Sequence, residues 1–157
     1  MIPARLDPLL RADGVPATLA RRFAAAGHEL FLVGGSVRDA LLGRSRPNQE
    51  HDFATSARPA EVRRVVAGWA DEVYTVGEAF GTVGMLKDEV RVEITTFRAE
   101  VYRGDSRKPV VQYSDDLETD LSRRDFTVNA TALRLYPAPE IIDPYGGLAD
   151  LGAGLLR

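Results

Sequence analysis

Leu30-Phe31-Leu32-Val33-Gly34-Gly35-Ser36-Val37-Arg38-Asp39 is the stretch that decides how this chain is read. The apolar run from Glu29 to Val33 predicts a short strand. Gly34-Gly35-Ser36 predicts a tight turn, and Val37 to Leu42 a helix that Gly43 stops. Glycine has no Cβ, so the backbone at 34 and 35 can approach a ligand closely. The free N–H groups of the following helix point to the same place and suit a phosphate. Arg38, on the first turn, adds a charge-assisted donor. Taken alone, Gly-Gly fits a plain strand-to-helix turn at least as well.

Outward from this stretch, strand and helix signals mix without a strict βαβ rhythm. Pro16 to Ala26 predicts an amphipathic helix with Leu19, Phe23 and Ala26 on one stripe, stopped by Gly27. His51 to Thr55 has strand character. Arg58-Pro59 opens a helix running to about Gly68. Glu72 to Val76, Thr82 to Leu86 and Val90 to Phe97 predict strands, the last two joined by a turn at Lys87-Asp88-Glu89. Ala99 to Tyr113 is polar, carries Gly and Pro, and reads as a mobile loop. Leu117 to Leu121 and Phe126 to Ala130 read as helical, Thr131 to Leu135 and Ile141 to Asp143 as strands. The pattern argues for an α/β (α+β) domain with a mixed sheet and helices packed against it.

Composition narrows the class. The chain has 157 residues, the size of one ordinary domain, and 45% are apolar, enough for a real core. The absence of Cys excludes a disulfide scaffold, a thiolate metal site and a Cys nucleophile. No apolar run approaches the ~20 residues that span a bilayer, so no membrane partner is expected. Met1 to Leu10 carries two prolines and Asp7 where a signal peptide would be apolar, so a cytoplasmic protein is expected. The net charge is −3, and ten of the acids fall between residues 50 and 100. That balance neither supports nor excludes a nucleic-acid partner, because basic residues can cluster on one face.

Three further constellations could carry chemistry. In Glu50-His51-Asp52-Phe53, strand alternation puts Glu50 and Asp52 on one face and His51 and Phe53 on the other. Two carboxylates on one face repel unless a cation or proton lies between them, and oxygen-only ligation fits Mg²⁺. An isolated acid-x-acid pair is more often simply solvated. Glu93 sits between Val92 and Ile94 in the strongest strand signal. By itself it reads as pointing to water; beside the Glu50/Asp52 strand it would make three convergent carboxylates, as in two-metal phosphoryl transfer. Arg123-Arg124-Asp125 precedes a helical segment holding Asn129. Asp125 and Asn129, one turn apart, can hydrogen-bond a sugar or base, or the whole can be a capped surface helix.

The segments Val33 to Gly43, Asp52 to Ala57, Glu93 to Arg98, Arg123 to Ala130 and Ile141 to Gly147 resemble, in order, the motifs of the class II tRNA nucleotidyltransferases. That family comprises the CCA-adding enzymes and related bacterial poly(A) polymerases, and the resemblance runs from about Glu29 onward. It implies the nucleotidyltransferase fold, a mixed sheet of about five strands backed by helices. It implies metal-dependent transfer of a nucleoside monophosphate from CTP or ATP to the 3′-hydroxyl of tRNA, releasing pyrophosphate. By the resemblance, Glu50 and Asp52 hold the metal, Mg²⁺ or Mn²⁺, and Glu93 is the third acid. Gly34, Gly35, Arg38, Arg123, Arg124, Asp125 and Asn129 would bind the nucleotide. Thr95, Phe97 and Arg98 match a motif leading into a flexible loop.

Two departures from the family pattern stand out. The first metal acid is usually Asp and here is Glu50, one methylene longer; activity is expected to survive, with a shift toward Mn²⁺. The Glu-Asp-x-x-Arg motif with which the family reads the incoming base does not occur in the 157 residues. The expectation is therefore a catalytic head over residues 1–145, with 146–157 beginning the transition to a helical neck, and a missing neck and body domain or a partner chain. Such a head by itself should be weakly active and poorly selective among nucleotides. The alternatives are a poly(A) polymerase head acting on other RNA 3′ ends and a non-catalytic nucleotide- or RNA-binding module.

Overall fold

The computed structural model describes residues 3–44, 46, 49–74, 80–103, 109–124 and 129–154. The strand expected before Gly34 is β1 (Leu30–Val33), buried at all four positions. Leu30 and Leu32 enter one hydrophobic cluster, Phe31 and Val33 another. Alternate residues of a strand face opposite sides, so a strand apolar at every position needs cover on both.

Before β1 come a 3₁₀ turn (Ala4–Leu9) and α1 (Val15–Ala25); after it come α2 (Gly35–Leu41), β2 (His51–Thr55) and α3 (Pro59–Val66). β3 (Glu72–Tyr74), β4 (Thr82–Lys87) and β5 (Val90–Thr96) follow, then β6 (Arg98–Arg103) and β7 (Pro109–Tyr113). The chain continues through α4 (Leu117–Ser122), β8 (Ala132–Arg134), β9 (Glu140–Ile142) and α5 (Gly147–Ala153).

The main sheet runs β3-β4-β5-β2-β1-β8-β9. All its pairings are antiparallel except β2 with β5, which is parallel. The expected mixed sheet backed by helices is present, and the three-residue edge strands β3 and β9 bring it to seven strands. One face is covered by the 3₁₀ turn, α1, α3 and the Val37/Ala40 side of α2. On the other, Leu117 and Leu121 of α4 pack with Phe97 over Phe31, Val33 and Ala54. Among the described residues this second cluster takes in none from β3, β4 or β5, and the candidate site lies at its edge.

Local chemistry explains most element ends. Pro16 lies in the first turn of α1, and Gly27, at φ 83°, takes the chain out of it. The expected β4–β5 hairpin closes through Asp88 and Glu89, both at positive φ (50° and 68°), as a two-residue turn between right-twisted strands requires. Asp71 holds that turn, accepting the Asp88 N–H at 2.8 Å.

The segment Ala99 to Tyr113 corrects the sequence reading. Instead of a loop, β6 and β7 form an antiparallel two-stranded ribbon, paired from Arg98↔Tyr113 to Arg103↔Pro109; residues 104–108 lie outside the described residues. Val101, Tyr102, Val110 and Val111 are strand formers, and cross-strand pairing satisfies the backbone despite the polar composition. The root of the ribbon is fixed. Ser114 N–H donates to the Phe97 carbonyl at 2.8 Å, and the Arg58 guanidinium stacks over the Tyr113 ring at 5.1 Å. The helix expected over Phe126 to Ala130 falls mostly outside the described residues.

Candidate functional site

The parallel pairing of β2 with β5 sets Asp52 opposite Glu93, and opposite residues of adjacent strands project from the same face. Glu50, two residues before Asp52, joins them. One carboxylate oxygen from each of Glu50, Asp52 and Glu93 lies within 4.8 Å of the others. Glu50 and Glu93 are exposed and Asp52 is half-buried. The Asp52 carboxyl is pushed from the ordinary 3.8 up to about 6, by burial first, then by the charges of Glu93 and Glu50, with Arg124 pulling the other way. Among the described residues, three carboxylates face one guanidinium that acts on Asp52, Arg124. An all-oxygen donor set of this kind fits a divalent cation.

His51 takes no part. It is buried on the opposite face, edge-on to Phe53 at 6.5 Å, and burial drags its imidazole down to about 4. It is a neutral packing residue.

The turn after β1 borders the acids. Gly34 sits at φ 72°, ψ −136°, a conformation that costs an L side chain about 1–3 kcal/mol. A Cβ there would lie 3.9 Å from Asp52 Oδ2. Gly34→Ala is therefore expected to lower Tm by several degrees and to weaken nucleotide binding, measured by thermal denaturation and calorimetric titration with CTP. An Ala variant of wild-type stability and affinity would remove this turn from the site. At Gly35 a Cβ would meet Arg38 Nη2 at 3.4 Å, so its absence lets that guanidinium fold back over the turn. Arg38 Nε donates to Asp39 Oδ1 at 3.2 Å, and the other Asp39 oxygen accepts from Gln49 Nε2 at 3.1 Å. Gln49 is buried and adjoins Glu50, so Asp39 ties α2 to the entry of the acid-bearing strand.

Arg124 is held from behind. Its Nη2 donates at 3.1 Å to Oδ1 of Asp120, which is only 3% exposed. The second oxygen of Asp120 accepts the backbone N–H of Arg98 at 3.0 Å. One buried carboxylate thus joins the root of β6 to the cation beside Asp52. Sequence reading passed over Asp120. Its one available signal was the i, i+4 spacing from Arg124, which lies just beyond the segment Leu117 to Leu121 expected to be helical.

The remaining expected residues divide. Arg123 is exposed, Asn129 is half-buried just ahead of β8, and Asp125 lies outside the described residues. Thr95 Oγ1 and Thr82 Oγ1 share a hydrogen bond at 2.8 Å. Phe97 is a core residue packed against Phe31, with ring centroids 6.1 Å apart. Arg98 Nη1 donates to the Phe80 carbonyl at 3.2 Å; burial lowers its guanidinium from the ordinary value, and Asp120 opposes that shift. Thr95, Phe97 and Arg98 form the anchored base of the ribbon. Asp143 fastens the last helix, accepting the N–H groups of Gly147 (2.7 Å) and Leu148 (3.0 Å) and the Thr131 hydroxyl (3.1 Å).

The family model described as Poly A polymerase head domain matches residues 30–157. The CCA-adding enzyme of Streptococcus thermophilus is 46% identical over 134 residues, 85% of this chain and 31% of that protein. The CCA-adding enzyme of Latilactobacillus sakei is 44% identical over 147 residues, 93% of this chain and 34% of its own length. Among solved structures, the Bacillus stearothermophilus CCA-adding enzyme in complex with CTP superposes with a TM-score of 0.73 at 32% identity, covering 99% of this chain and 34% of that one. A tRNA nucleotidyltransferase complexed with a primer tRNA and an incoming ATP analog gives 0.70 at 31% identity, covering 88% and 38%. The chain spans about a third of the length of the curated relatives it matches.

Proposed function

Since the chain belongs to the poly(A) polymerase head-domain family, we propose that it is the catalytic head of a tRNA nucleotidyltransferase that adds CTP- and ATP-derived nucleotides to an RNA 3′ end. The observation that carries this reading is the convergence of Glu50, Asp52 and Glu93 beside the Gly34 turn. Residues 1–145 are the head, and 146–157 lead toward a helical neck. Among the described residues no helix is long and apolar enough to cross a membrane.

In the proposed reaction the RNA 3′-hydroxyl oxygen bonds to the α-phosphorus of CTP or ATP, the α–β phosphoanhydride bond breaks, and pyrophosphate leaves. Glu50 and Asp52 would hold Mg²⁺, which when bound activates the hydroxyl and neutralises charge on the leaving group. A Glu93 carboxylate oxygen accepts the hydroxyl proton. Arg38 and Arg124 draw the developing negative charge toward the β1 side of the acids. No covalent enzyme intermediate is needed.

The test uses the chain with tRNA lacking its 3′ CCA, Mg²⁺ or Mn²⁺, and each labelled nucleotide singly. Incorporation of C or A to a short defined length, with weak discrimination, is the expected result. Long A tails would make it a poly(A) polymerase head, and nucleotide binding without incorporation a non-catalytic module.

A further inference from the structure

A hollow of about 620 Å³ lies behind the acid-bearing strand. Strand alternation turns His51 and Val90 away from Asp52 and Glu93, so the hollow is on the opposite face of the sheet from the acids, where the 3₁₀ turn and α1 pack. Its size is that of a small-molecule site, and so is its lining, largely apolar with a few polar groups. Leu9, Val15 and Val90 supply apolar wall, and Arg11 and Arg46 supply positive charge at an exposed rim. Among the described residues the one acid in the lining is Asp13, whose side chain is 85% exposed and stands 3.8 Å from Arg11 Nε. The start of α1 borders the hollow too. Its N-cap is Gly14, which has no side chain to cap it with. Free N–H groups at a helix start attract an anion.

A buried group points to a ligand independently. His51 is 8% exposed and lines the hollow, and its Nδ1 is buried with no hydrogen-bond partner among the described residues. Buried polar atoms are nearly always paired, so an orphan at the wall of a cavity marks a place where a ligand or water supplies the partner. Gln49 beside it is also buried, and its Nε2 is committed to Asp39 at 3.1 Å, so this part of the wall is fixed. Together the lining asks for an anionic group at the rim, a flat apolar body along the wall and a polar edge at His51. An inorganic anion lacks the body, and a lipid chain lacks the polar edge. A nucleoside phosphate carries all three.

We propose that this hollow is a second nucleotide site, separate from the acid cluster, which takes a nucleoside monophosphate, either free or as one unit of an RNA strand. Arg11, Arg46 and the first turn of α1 hold the phosphate, the base lies along Leu9, Val15 and Val90, and its edge pairs with His51. The proposal stands apart from the nucleotidyltransferase reading, since it uses none of the three acids. His51 lies between Glu50 and Asp52 on β2, so a ligand in the hollow touches the acid-bearing strand from behind.

The test is calorimetric titration of the 157-residue chain with AMP in EDTA, which keeps divalent cations from the acids. Wild type is expected to bind AMP at one site. Arg11→Ala and Arg46→Ala should each weaken binding about tenfold, the scale of one charge-assisted hydrogen bond. Val15→Trp, which fills the hollow, should abolish it, and Asp52→Asn should leave it unchanged. Thermal denaturation checks the fold of each variant; Arg11 and Arg46 are exposed, so their variants carry the test even if Val15→Trp does not fold. The chain has two histidines, and ¹H–¹⁵N spectra of their rings give a second readout: AMP should move the His51 ring nitrogens and leave those of His28 in place. Displacement of AMP by a tighter-binding 5′-phosphorylated oligoadenylate would name an RNA strand as the source, and AMP binding without such displacement would name the free nucleotide. Inorganic phosphate that binds as tightly as AMP would make this a plain anion site and overturn the proposal. AMP binding lost in Asp52→Asn but kept in both arginine variants would place the ligand at the acids and overturn it too, as would wild type that binds no AMP at millimolar concentration.

Discussion

Asp52→Asn is expected to reduce nucleotide transfer by at least about 10³-fold, the scale of one preorganised electrostatic group in phosphoryl transfer, while making the metal-free fold more stable above pH 6. The two effects share a cause. Asp52 is half-buried between Glu93 and Glu50, and its carboxyl holds a proton up to about 6 instead of the ordinary 3.8. Between those values the folded chain binds more proton than the unfolded chain. Stability from this group is therefore complete below the lower value and is lost as pH rises through the upper one. Asparagine keeps the shape, carries no charge at any pH, and removes that loss together with a metal ligand. Single-turnover incorporation of CTP measures the first effect. Urea denaturation without metal, at about pH 4.5 and pH 7.5, measures the second. A variant with a tenth or more of wild-type turnover would take Asp52 out of the metal site. An unchanged pH slope would show that its carboxyl is not under the strain its neighbours impose.

Asp120→Ala is expected to destabilise the fold by about 3–5 kcal/mol, the usual cost of leaving one partner of a buried ion pair alone. At this chain length that corresponds to a Tm lowered by roughly 10 °C. Asp120 is almost fully buried, and its two oxygens are both used, one by the Arg98 N–H and one by the Arg124 guanidinium. Removing it strands an amide and sets two guanidinium groups near each other without the anion between them. Asp120→Asn keeps an acceptor but not the charge, so its loss should fall between wild type and Ala. Thermal denaturation by circular dichroism ranks the three. CTP affinity should fall with stability, because Arg124 loses the anchor that holds it beside Asp52. An Ala variant within about 1 kcal/mol of wild type would show that the carboxylate is not what holds these two elements.

Asp120 also shows where sequence reading stops. In Leu117-Glu118-Thr119-Asp120-Leu121, Glu118 and Asp120 look alike, two acids near the start of a short helix. Glu118 is exposed and Asp120 is 3% exposed. The difference comes only from what α4 packs upon. The ribbon was missed for a related reason. β6 and β7 pair with each other in a separate two-stranded sheet, so the register of the main sheet sets no pattern on their sequence. Their pairing is held at the root, by Ser114 on the Phe97 carbonyl and by Arg58 over Tyr113, contacts that join residues far apart in the chain.

By itself, the sequence determined the elements whose environment is written locally. An apolar run predicted β1, two glycines predicted the turn and close approach at Gly34, and alternation put Glu50 and Asp52 on one face with His51 on the other. The order of five short motifs pointed to the family. For Glu93 the residues by themselves left a water-facing reading open and only the motif order named it a third acid; the tertiary structure supplies the pairing that brings it to the other two. Asp52 and Glu93 meet only because β2 and β5 pair in parallel across an intervening helix and two strands. Register between distant strands is set by the burial of whole faces, and no short window of sequence carries that information.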